Sequence, residues 1–64
     1  MTRIDMIQAA WPGLTVTDIA LESRVSRQQI YRLIREPERM LVCTLLAACR
    51  ALRLDPAQVI QSIL

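Results

Sequence analysis

Residues 14–34 read Leu14-Thr15-Val16-Thr17-Asp18-Ile19-Ala20-Leu21-Glu22-Ser23, then Arg24-Val25-Ser26, then Arg27-Gln28-Gln29-Ile30-Tyr31-Arg32-Leu33-Ile34. Two helical patterns are separated by a three-residue break. Thr15 has the chemistry of an N-cap, and Asp18 stands three residues on, where a capping-box partner belongs. Ile19, Ala20 and Ser23 then fall along the inner side of a short helix. Small residues at 20 and 23 let another helix come close. Ser26 caps the following helix. Stepping 100° per residue from Arg27 puts Tyr31 at about 40°, Arg35 at about 80°, Gln28 at about 100° and Arg32 at about 140°. Leu33, Ile30 and Ile34 lie between about 240° and 340°. One side of this helix is core; the other is polar and basic.

The remaining elements follow from caps and breakers. A first helix is expected from about Arg3 to Ala10, with Thr2 as N-cap and Asp5 as its capping-box partner, ending at Trp11-Pro12-Gly13. Pro37 cannot continue a helix and disfavours helical geometry at Glu36, so the third helix ends near Arg35. A fourth is expected from about Glu38 to Leu52; it is apolar almost all the way round, which predicts a place in the middle of a bundle. Asp55-Pro56 opens a fifth, pairing an N-cap acceptor with a proline at the first helical position. The expected fold class is all-α: a single domain over residues 1–64 made of five helices.

Sixty-four residues hide only about 60% of the surface that the unfolded chain exposes, so such a domain is marginal alone. Apolar residues are 53% of the chain, which predicts that some apolar surface meets a second subunit. Val59, Ile60, Ile63 and Leu64 span about 140° of the fifth helix, wider than one narrow seam needs, and are the expected dimer contact. Trp11 is expected to pack between the first and last helices. Arg50 and Arg53 interrupt the richest apolar stretch, so no membrane span is expected; Asp5 and Gln8 interrupt the N-terminal apolar residues, so no signal peptide is expected either, and the expected location is cytoplasmic.

Cys43 and Cys49 stand six residues apart on one expected helix, about 9 Å along its axis, too far to bridge. With no histidine and no Cys-x₂₋₄-Cys spacing, neither a metal nor any other cofactor is expected. The chain also lacks lysine, its serines and cysteines have no evident activating base, and one glycine cannot make a phosphate-cradling loop, so an enzyme is not expected. Net charge is only +2, but five arginines against two glutamates place +3 on residues 24–39.

Helix, short turn and arginine-bearing helix together have the layout of a helix-turn-helix. The chain resembles the Cro/cI-type, lambda-repressor-like family of small DNA-binding regulators. The resemblance rests on Leu14-Thr15, Ile19-Ala20, Val25-Ser26, Ile30 and Leu33, and downstream on Leu45-Leu46, Ala51-Leu52-Arg53-Leu54 and Asp55, so it covers nearly the whole chain. It implies a compact five-helix lambda-repressor-like domain whose second and third helices form the motif, with the third laid in the major groove of double-stranded DNA. Carried over residue by residue, Arg27, Gln28 and Arg32 are the expected base readers, joined by Tyr31. Ser26, Gln29, Arg35, Arg39, Thr15 and Thr17 are the expected contacts to the DNA backbone. The implied function is that of a homodimeric repressor on a palindromic operator. The alternative is a protein-interaction module, such as the antitoxin of a toxin–antitoxin pair or an adaptor of a larger regulator, which the apolar fifth helix would serve equally well.

Three positions depart from the family pattern. Arg24 and Arg53 stand where glycine is usual, so either these arginines accept left-handed geometry, at about 1 kcal/mol or more, or the turns are built differently. Val16 replaces a glutamine that helps to grip phosphate, leaving that contact missing or supplied by Thr15 or Thr17.

Overall fold

The structure, a computed structural model, describes residues 2–64. It is built of five helices: α1 (Arg3–Ala10), α2 (Val16–Ser23), α3 (Arg27–Arg35), α4 (Val42–Ala51) and α5 (Pro56–Ile63). A 3₁₀ turn at Pro37–Arg39 separates α3 from α4, and no strand occurs among the described residues.

Local hydrogen bonds explain most of the helix starts. At Thr2 and at Thr15 the hydroxyl accepts the N–H of the aspartate three residues on, and that aspartate accepts the cap's own N–H, closing two complete capping boxes. Ser26 Oγ accepts from Gln29 N–H at 3.2 Å, and Asp55 Oδ1 from Ala57 N–H at 3.0 Å.

The core is formed chiefly by Ile7 and Trp11, Ile19, Val25, Ile30 and Leu33, Leu45, Cys49 and Leu52, Leu54 and Val59. Helix α3 lies at its centre: it packs against α1, α2, the 3₁₀ turn and α4, and its Ile30 and Leu33 are completely buried. Burying each such side chain is worth about 1.5–3 kcal/mol.

The fourth helix corrects two expectations. It does not begin near Glu38; Pro37 opens the 3₁₀ turn, Met40 (φ −84°, ψ 144°) and Leu41 (φ −61°, ψ 144°) are extended, and the helix starts at Val42. The half-buried Met40 packs against the core in this extended geometry. Nor is α4 central. Leu45, Ala48 and Cys49 are buried, while Val42, Cys43, Ala47, Arg50 and Ala51 are exposed, because the other elements cover only one of its faces.

Both arginines at the glycine positions adopt left-handed geometry, each with φ +61°. Arg53 closes a Schellman-type turn: its N–H bonds to Arg50 O at 3.2 Å, and Leu54 N–H bonds to Cys49 O at 2.8 Å. Its guanidinium lies 4.9 Å from the centroid of Trp11. Trp11 is buried as expected, but its indole N–H is tied to Leu52 O, at the end of α4, at 2.8 Å. Gly13, at φ +76°, serves the turn from α1 to α2.

Candidate nucleic-acid interface

Helix α3 shows two chemically distinct sides. Inward, Ile30 and Leu33 fix its rotation about its own axis. Once they are buried, the 100° step carries Arg27, Gln28, Gln29, Tyr31, Arg32 and Arg35 outward, and all six are exposed. No acidic residue lies in the first turn, and Arg32 and Arg35 occupy the last, where positive charge complements the helix dipole. Arg35 sits one turn beyond Tyr31 with its guanidinium over the ring, 5.5 Å from the centroid, within cation–π range.

Three grooves meet at the start of α3, and two of them gather most of the expected DNA contacts. One, of about 330 Å³, runs between α3 and the 3₁₀ turn and brings Ser26, Gln28, Gln29, Arg32 and Arg39 together. The other, of about 550 Å³, lies between α2 and α3 and brings Thr17, Ser26 and Arg27 together. Ser26 borders both. Its Oγ accepts the Gln29 N–H, which leaves its own O–H able to donate to an anionic oxygen.

Thr15 belongs to neither groove. Its hydroxyl accepts from Asp18 N–H at 3.2 Å and donates to Asp18 Oδ2 at 2.9 Å, so it is engaged with a carboxylate. Val16 is half-buried against the core rather than presented to solvent. Tyr31 and Arg35 border neither groove and stand further along the exposed side of α3.

Sequence reasoning missed several residues at these edges. Met40, Leu41 and Thr44 complete the groove beside Arg32, and Arg24 and Leu21 complete the one beside Arg27. For the first three the break before α4 is responsible, since placing them on one continuous helix hides their approach to α3.

Of the four apolar residues expected at a dimer contact, Val59 is completely buried within the chain's own core and Ile63 is half-buried against it. Ile60 and Leu64 remain exposed, Leu64 almost fully. Among the described residues no cluster of histidine, cysteine and carboxylate side chains has the makings of a metal site, and no helix is long and apolar enough to cross a membrane.

No protein-family model, curated protein or solved structure matches the chain.

Proposed function

We propose that the chain is a small sequence-specific double-stranded DNA-binding protein, a repressor of the Cro/cI type, in which α2 and α3 act as a helix-turn-helix. The observation that carries this reading is the two-sided character of α3: its inner side is anchored by Ile30 and Leu33, and its outer side offers Arg27, Gln28 and Arg32 to solvent. An arginine fork suits guanine O6 and N7, and a glutamine amide suits adenine N6 and N7, each good pair discriminating by about 1–3 kcal/mol. Ser26, Gln29 and Arg39 around one groove, and Thr17 beside the other, suit phosphate oxygens, which set register without reading sequence. Tyr31 with Arg35 extends the same surface.

Two copies related by a twofold axis would read half-sites about 34–36 Å apart on one face of the duplex, so the operator is an inverted repeat. Ile60 and Leu64 are the exposed part of the proposed dimer contact. Band shifts on the DNA upstream of the chain's own coding sequence, at two salt concentrations, test the reading: a shifted band that weakens at the higher salt supports it, and no shift at either refutes it.

The second reading, a module that docks on another protein, draws support from the apolar residues left in solvent: Leu64, Leu41 and Val42 are 99%, 72% and 68% exposed. Capture of a defined partner by a chain that fails to bind any duplex would favour it.

A further inference from the structure

Arg24 and Arg53 share one backbone anomaly, φ +61°, yet only one of them has an intramolecular account. The Arg53 side chain stacks over Trp11 at 4.9 Å, so a contact within the fold offsets its left-handed backbone. The Arg24 side chain is exposed, and among the described residues neither a hydrogen bond nor an aromatic stack holds it. Glycine would adopt this backbone without the steric cost that a Cβ adds, and a partner outside the chain would account for a long cation kept here instead.

The surroundings of Arg24 indicate the kind of partner. It borders the groove between α2 and α3 with Thr17, Ser26 and Arg27, and a second, of about 590 Å³, with Ser26, Gln29 and Thr44. No carboxylate lines either groove. Two guanidinium groups and two hydroxyl-bearing residues stand around the groove between α2 and α3 beside the apolar Ala20, Leu21 and Val25, and they give its rim the chemistry to hold an oxyanion.

We propose that Arg24 is a phosphate-contacting residue that anchors the turn between α2 and α3 to the DNA backbone. This rests on the DNA-binding reading above and adds a contact at the position where the resembled family carries glycine. Arg24 does not read bases; it fixes how α3 enters the groove and raises affinity for any sequence.

The test uses three chains, the parent, Arg24→Gly and Arg24→Lys, titrated with a mixed-sequence B-form duplex of about 30 base pairs at several salt concentrations between about 50 and 200 mM, with thermal melts of each. Arg24→Gly is expected to melt several degrees higher, because the backbone anomaly is relieved, and yet to bind several-fold more weakly at the lowest salt. The slope of log affinity against log salt is expected to become shallower by about 0.9, the loss of one phosphate contact, with Arg24→Lys keeping the parental slope. A merely structural arginine would move melting and binding in the same direction. Binding by the parent with an unchanged slope and affinity for Arg24→Gly overturns the role of Arg24 alone. Failure of the parent to bind any duplex at the lowest salt overturns the DNA reading and this inference with it.

Discussion

Arg3, at the start of α1, donates from Nε to the carbonyl of Ile34 near the end of α3 at 2.9 Å. The last carbonyls of a helix have no partner within it, so a side chain from another helix supplies one. The same guanidinium donates from Nη1 to Ser62 O at 3.2 Å and Ser62 Oγ at 3.0 Å, so a single cation fastens α1, α3 and α5. Its link to the end of α3 helps to hold the proposed recognition helix.

Arg3→Ala is expected to lower stability by about 1.5–3 kcal/mol, the range for hydrogen bonds that involve a charged group. Arg3→Lys is expected to recover little, because an ammonium cannot reproduce the planar fork that reaches two helices. Urea unfolding of the three chains checks this, and a loss below about 0.3 kcal/mol for Arg3→Ala would contradict it.

The Trp11–Leu52 bond and the stack of Arg53 on the indole join α1 to the turn between α4 and α5. Arg53→Ala keeps the left-handed cost and loses the stack, whereas Arg53→Gly loses both. The alanine variant is therefore expected to be less stable than the glycine variant by about 1 kcal/mol. Equal melting curves for the two would contradict that.

What the sequence revealed here depended on range. The caps at Thr2, Thr15, Ser26 and Asp55 were legible because cap and recipient lie two or three residues apart. The outward side of α3 was legible because burial of Ile30 and Leu33 leaves a regular helix one orientation. The start of α4 was not legible: Leu41 stands at its N-cap with no side-chain hydrogen bond, so no local capping signal marks it, and the extended Met40 before it packs on residues distant in sequence. Arg3 escaped for a related reason, since its partners lie 31 and 59 positions away. At Arg24 and Arg53 the departure from glycine was visible, but which geometry the turns adopt depends on the tertiary structure.

Cys49 is completely buried, and desolvation pushes its thiol above the ordinary range, with the nearby Asp55 carboxylate adding to the effect. A raised folded pKa means that the unfolded chain loses this proton first. The associated stability is complete below the ordinary thiol range and is lost as pH rises from there toward the folded value. Denaturant unfolding at neutral and at strongly alkaline pH should therefore show the parent losing more stability than Cys49→Ala. A thiol reagent should label the exposed Cys43 in the native state and Cys49 only after unfolding. Equal native labelling rates would contradict this burial.

For self-association, Ile60→Asp and Leu64→Asp are the informative variants, since both side chains are exposed whereas Ile63 also packs on the core. Both are expected to sediment as folded monomers at concentrations where the parent is a dimer. A mass unchanged from a dimeric parent would place the contact elsewhere.

Selection of duplexes from a random library, carried out with the parent, Gln28→Ala and Arg39→Ala, reads out whether the outer side of α3 recognises sequence. The parent is expected to enrich an inverted repeat with half-site centres about 10–10.5 base pairs apart. Gln28→Ala should relax preference at one position of each half-site, and Arg39→Ala should weaken binding to all sequences alike. No enriched sequence for the parent, or an identical preference for the parent and Gln28→Ala, would contradict the account.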